Sequence, residues 1–330
     1  MNIWQNARLL AIISAVCAAI FQSMDNITMH NYVKIESDSL ATLCFLAYGA
    51  WNSFFVGLLL TPFFGRRLID PDYRGLSLGT KTMRREARYA GVLISISALG
   101  YIGASRIADP SIVCALSTLV LINTALIDTF RRYIDWRKMM IPILLAMFGG
   151  MLAAYTGHWQ VTLWSFILIV IVSNVPWAFV EFAEQRGAKE MDSANFFLWR
   201  GFFLAQSCTV IAVILALSMG ELKTLVRGWQ GLLRYELWIA LTMVFVWLSI
   251  GLKMTAKKIE SVSAVMIVRS IEIVFTYPII WIGTIIDPNA FGEPPKDVWT
   301  WVIRLIGAFC IIIAIGLIPK KQERDQKKTL

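Results

Sequence analysis

Arg269 and Glu272 stand three residues apart inside an apolar stretch, 261–285, that is long enough to cross a bilayer. An ionisable side chain at that depth costs about 2.5 kcal/mol or more, so each one is a functional hypothesis by default. At 1.5 Å per residue, Arg269 lies roughly 12 Å and Glu272 roughly 17 Å along such a helix, close to the midplane. The i, i+3 spacing sets both on one face, within reach of an ion pair. Two readings follow. The pair is a self-neutralised structural element, or it lines a cavity in which Glu272 exchanges a proton or binds a cationic group. A second polar group, Gln22, Asp25, Asn26 and Thr28, occupies seven residues of the stretch 9–32 and needs water, partners or a substrate. Its readings are cavity lining and polar packing between helices. A third group, Asn174, Pro176 and Trp177, falls in 161–183. There the proline removes a backbone donor and frees a carbonyl near position 172, while the indole is either a packing residue or a stacking face for a planar or cationic solute. Thr118, Asn123 and Thr124 in 111–130 suit interhelical hydrogen bonding. Arg200, early in 195–219, either snorkels, pairs structurally or meets a substrate anion, and Arg304 snorkels outward.

These residues presuppose helices that cross a membrane. The hydrophobic fraction is 57% and the charged fraction 16%, against roughly 25% charge in soluble domains. The apolar residues fall into ten runs of about 20, the length that spans a ~30 Å hydrocarbon core: 9–32, 40–64, 89–106, 111–130, 139–157, 161–183, 195–219, 237–256, 261–285 and 298–318. The short alternating segments of a membrane β-barrel are absent from the sequence. Residues 9–20 have the look of a signal-peptide core, but only Arg8 precedes them, and they are read as the first helix. The expected fold is therefore all-α, a polytopic bundle of ten transmembrane helices. Cys17, Cys44, Cys114, Cys208 and Cys310 all sit in apolar runs and read as packing residues. His30 and His158 are isolated, so neither a metal site nor a cofactor is expected.

The net charge of +9 is unevenly placed. With ten spans, 22 basic residues fall on the side shared by both termini and six on the other, which places both termini in the cytoplasm. Residues 320–330 form a basic cytoplasmic tail, whose charges at 320–328 touch anionic headgroups. Nucleic-acid binding is excluded because no loop is long enough to present the charge. Trp136, Trp159, Trp229, Trp299 and Trp301 read as interfacial belts, and residues 221–235 as a short amphipathic segment on the outer surface.

The sequence repeats weakly at one offset, 152 residues. Phe45-Leu46-Ala47-Tyr48-Gly49 returns as Phe197-Leu198-Trp199-Arg200-Gly201, Ala104-Ser105-Arg106-Ile107 as Ala256-Lys257-Lys258-Ile259, and Thr118 and Thr124 as Ser270 and Thr276. This divides the chain into a first five-helix repeat, 1–157, and a second, 158–319. An odd number of spans makes the second copy inverted. Inverted repeats are frequent in secondary transporters, with the substrate at the repeat interface near the midplane.

On Ala108-Asp109-Pro110-Ser111 before the fourth span, Glu260-Ser261-Val262-Ser263-Ala264-Val265 before the ninth and Arg200 early in the seventh, the chain resembles the drug/metabolite transporter superfamily, in particular its EamA-type ten-helix members. Residues 23–34 (SMDNITMHNYVK) resemble the first helix of the branch that includes S-adenosylmethionine carriers. The chain departs from the pattern at Tyr48, where an arginine would recur, and after the fourth and ninth spans, where Gly-Glu is replaced by Arg131-Arg132 and Ile285-Ile286-Asp287.

The expected function is a secondary transporter of a small polar or amphoteric metabolite, with protons as a candidate coupling ion. The substrate-binding candidates are Gln22, Asp25, Asn26, Asn123, Asn174, Trp177, Arg200, Arg269 and Glu272. The chain is not expected to be an enzyme. The expected partners are a small-molecule substrate and the lipid bilayer, with a homodimer also compatible, and the compact loops favour a bacterial inner membrane. The alternatives are a non-transporting scaffold with a carrier-like fold and a membrane-embedded lipid-modifying enzyme.

Overall fold

A computed structural model describes Trp4 and residues 6–35, 37–107, 116–131, 136–155, 163–286 and 297–318. Among the described residues the chain is helical throughout, with no strand. The helices are α1 (Ala7–Ile27), α2 (Asp38–Phe64), α3 (Lys81–Ile107), α4 (Val120–Phe130), α5 (Trp136–Ala153), α6 (Leu163–Glu190), α7 (Ser193–Ser218), α8 (Leu222–Leu232), α9 (Glu236–Ile259), α10 (Val262–Arg269), α11 (Glu272–Ile286) and α12 (Val298–Leu317). Seven segments are long and apolar enough to cross a membrane: Ala7–Asp25, Leu40–Ile69, Trp136–Ala153, Leu163–Glu190, Ser193–Ser218, Leu222–Ile259 and Val298–Leu317. The protein is a multi-pass α-helical membrane bundle. The difference from ten expected runs has local causes. α3 begins with four Lys or Arg residues in its first eight positions, the run 111–130 is described only from residue 116 onward, and the stretch 261–285 is not one helix.

That stretch breaks at Ser270-Ile271 into α10 and α11. Three amides there bond three residues back instead of four: Ile271 to the Val268 carbonyl, Ile273 to Ser270 and Val274 to Ile271. A turn at Thr118-Leu119 precedes α4 and repeats the pattern, with Leu119 donating to Leu116, Leu121 to Thr118 and Ile122 to Leu119. Each of these bonds lies 152 residues from its counterpart, the offset of the sequence repeat. Neither break contains Gly or Pro.

The main helix pairs are α5 with α12, α1 with α9, α3 with α6 and α2 with α7. Lipid tails give helices no hydrophobic incentive to associate, so close backbone approach matters. At the α5–α12 crossing a Cβ on Gly307 would stand 2.4 Å from the Ala153 nitrogen and 2.6 Å from the Gly149 carbonyl oxygen. Gly100 of α3 likewise approaches the Leu168 carbonyl of α6, where an added Cβ would come to 2.8 Å. α6 is opened there into wide π-helical turns over Ile167–Ser173, directly before Asn174 and Pro176. The proline thus disturbs the helix on its N-terminal side, as its missing donor requires. α8 forms where an amphipathic segment is expected, with Leu225 and Leu232 buried against α2 and α7.

Candidate functional site

The bundle holds two groups of charges. The first joins α6, α7 and α9. Glu181 and Glu184, one turn apart on α6, face Lys253 and Lys257, one turn apart on α9. Lys253 reaches Glu181 at 2.8 Å and Glu184 at 2.9 Å, and Lys257 reaches Glu184 at 2.6 Å and also pairs with Glu181. Arg200 of α7 completes the group, its Nε 2.9 Å from Glu184. None of these five side chains is more than 4% exposed. Gln185 donates to the Lys257 and Glu260 carbonyls and so satisfies the free carbonyl end of α9.

The same end of the bundle, where α1 begins, carries further clamps. Asp128 of α4 accepts from the Ser263 amide at 2.9 Å and its hydroxyl at 2.6 Å, holding the first turn of α10. Lys258 bridges Asp70 and Asp72, and Asp70 also accepts from the Ser193 amide at the start of α7. Arg186 pairs with Glu86 at 2.6 Å. Asp192 caps α7 by accepting from the Asn195 amide. Burial pushes its carboxyl above the usual carboxylate range, against the lowering effect of the Asn195 hydrogen bonds.

The second group lies one to two turns deeper. Arg269, the last residue of α10, sits 3.3 Å from Glu272, the first of α11, and Gln22 of α1 donates to the same carboxyl group. Asp25, one turn beyond Gln22 on the same face of α1, has a buried oxygen with no hydrogen-bond partner. Burial changes abruptly at this point. Residues 262–268 of α10 are all buried, as are 251–257 of α9 and 181–185 of α6, whereas residues 269–276 are all half-buried and Gln22 is exposed. The segments around the ionic group are buried, and partial exposure begins at Arg269.

The expected site residues divide accordingly. Gln22, Arg269 and Glu272 come together, with Asp25 adjacent. Asn174 is elsewhere engaged, donating to the Leu116 carbonyl at 2.8 Å beside the turn that precedes α4, while Ser97 and Ser173 bond at 3.2 Å nearby. Trp177 lies under the Lys253 ammonium, 5.4 Å from ring centre to nitrogen, so its cation belongs to the protein. Asn123 is half-buried on α4. The Asn26 side chain lies outside the described residues, as do residues 108–111, Cys114, His158, Trp159 and the basic stretch 320–328.

Of the readings for Arg200 the structure shows the structural pair: α7 buries it against Glu184 and it does not snorkel. Lys253 and Lys257 also leave the set of loop charges, since both are buried within α9. Arg304 bonds the Tyr155 carbonyl at 2.7 Å and stacks against Trp301, so it is anchored and does not extend freely outward. Glu181 and Lys253 fall in the last turn of the apolar runs 161–183 and 237–256, and Glu184 and Lys257 directly beyond them, where a hydropathy reading sees the membrane edge. Their i, i+3 and i, i+4 spacing with opposite signs was the available signal.

No family model and no curated protein matches the chain. Twenty-eight chains of solved structures do. One of them, described only as "Crystal structure of protein", superposes with a TM-score of 0.62 at 12% identity, over 94% of this chain and 96% of that one. At that identity the likeness is one of fold alone.

Proposed function

We propose that the protein is a secondary carrier that moves a small polar or amphoteric metabolite across its membrane by alternating access. The observation that carries this reading is the change from burial to access at Arg269, in the middle of a broken helix. A bundle closed at one end, with a half-accessible ionic pair at its centre, has the form of a carrier held open to one side. A scaffold needs no accessible charge at that depth, and unoccupied charges there are costly.

Ten crossings are part of the proposal. α1, α2, α3, α5, α6, α7, α9 and α12 each make one, the segment ending in α4 another, and α10 with α11 the tenth. Inverted five-helix repeats account for the matched breaks at Thr118-Leu119 and Ser270-Ile271. They account as well for the helix pairs: α1–α9 and α3–α6 exchange under the repeat, while α2–α7 and α5–α12 map onto themselves. The EamA-type resemblance fits this layout. Both termini then face the cytoplasm of a bacterial inner membrane, even after Lys253 and Lys257 are set aside, and Glu272 is the residue that exchanges a proton with the solute. Purified protein in proteoliposomes, screened against a metabolite panel with and without a pH gradient, tests the reading. Flux of at least one solute is expected, and it falls when Glu272→Gln and Asp25→Asn are combined. Absence of flux for every solute, or unchanged flux in the double variant, contradicts it.

A further inference from the structure

The charges around the midplane are unequally paired. Arg200, Lys253, Lys257 and Arg269 face Glu181, Glu184 and Glu272, and Asp25, one turn from Gln22, adds a fourth carboxyl group among the described residues. The groups are electrically continuous, since Arg269 repels both Arg200 and Lys253 while Lys253 attracts Glu272. Within the first group every cation has a close carboxylate. Arg269 is held less well. Its Nε stands 3.3 Å from Glu272 without an aligned hydrogen bond, and no other acceptor among the described residues meets its guanidinium. A guanidinium carries five donors in a planar fork that matches a carboxylate. This one keeps 11% of its side chain accessible, at the point where the buried part of the bundle ends. Gln22 already supplies Glu272 with a second partner, so Glu272 can release Arg269 without losing every hydrogen bond.

Asp25 presents the complementary deficit, a buried carboxylate oxygen with no donor. Ala7 and Arg8 of α1 lie beside Ala264, Val265 and Val268 of α10, so the two helices start together and run the same way. The Gln22–Glu272 hydrogen bond sets those two residues side by side, with Arg269 one turn toward the buried end and Asp25 one turn the other way. The two unsatisfied groups are separated by about 9 Å of helix axis.

Resting on the carrier reading above, we infer that the solute is a zwitterion whose carboxylate docks on the Arg269 guanidinium, displacing Glu272, and whose ammonium group is received by Asp25. The incoming carboxylate supplies the aligned acceptor that Arg269 lacks, and the ammonium supplies the donor that Asp25 lacks.

The full-length protein in detergent, probed by thermal stabilisation with glycine, 4-aminobutanoate and 6-aminohexanoate, tests this. At least one of the three stabilises the wild type, and its methyl ester and its N-acetyl derivative each bind at least tenfold more weakly. Arg269→Gln with Glu272→Gln, a charge-neutral exchange, abolishes the stabilisation. Arg269→Lys, which keeps the charge and loses the fork, weakens it about tenfold and guards against misfolding of the double variant. Failure of all three zwitterions, equal binding of ester and acid, or undiminished binding to the double variant overturns the inference. Metabolite flux that ignores esterification also overturns it and leaves the carrier reading standing. Zwitterion binding without flux of any solute sustains the docking site and refutes the carrier.

Discussion

The α6–α7–α9 group and the Arg269–Glu272 pair are built from the same residue types, yet on opposite terms. In the first, three cations and two carboxylates exclude solvent almost completely, each charge meets an opposite one, and Glu184 alone touches Lys253, Lys257 and Arg200. In the second, the two side chains keep 11% and 16% exposure and meet at 3.3 Å with poor alignment. A buried network that is internally satisfied holds three helices in one arrangement. A loosely paired, partly accessible couple can change partners. The comparison assigns closure to the first group and recognition to the second, although only a turn or two of helix separates them.

Removing Glu184 is expected to have the largest effect. Glu184→Ala leaves three buried cations to share Glu181, and such a break costs about 3–5 kcal/mol. In detergent the variant melts far below the wild type or fails to accumulate in membranes. A loss no larger than that of a surface carboxylate would mean that the group is hydrated and the seal is not real. Glu181→Leu combined with Lys257→Met sharpens the point. Replacing a buried ion pair by apolar side chains is often close to neutral, so the double variant is expected to be more stable than Glu181→Leu alone. Additive losses would show that the pair is not coupled. Smallest is Glu272→Gln. Glutamine keeps its hydrogen-bonding partner Gln22, so stability changes by about 1 kcal/mol while solute flux falls. A stability loss comparable to that of Glu184→Ala would make Arg269–Glu272 a structural pair after all.

Much of the second region is legible in the sequence. Arg269 and Glu272 interrupt an apolar run at i, i+3, and Gln22 and Asp25 do the same in the first run, so their depth and shared face follow from helix geometry. The amphipathic α8 is equally readable from its pattern. The first region is hidden because its charges lie near helix ends, where a hydropathy reading assigns them to loops. Their burial depends on partners in other helices, which one-dimensional spacing does not pair. Arg200 shows the same gap, since its depth was visible but Glu184 was not. The breaks at Thr118-Leu119 and Ser270-Ile271 carry no Gly or Pro, so only the backbone hydrogen bonds reveal them. The repeat offset pairs Thr118 with Ser270 but signals no break at either.

One-sided access is the claim on which the two roles rest, and cysteine labelling in intact membrane vesicles tests it most directly. With the five native cysteines replaced, Gln22→Cys is expected to react with a membrane-impermeant maleimide added to one face and not the other, whereas Met254→Cys, beside the buried lysines, reacts from neither. An inert Gln22→Cys, or a Met254→Cys that labels as readily as Gln22→Cys, would contradict the account.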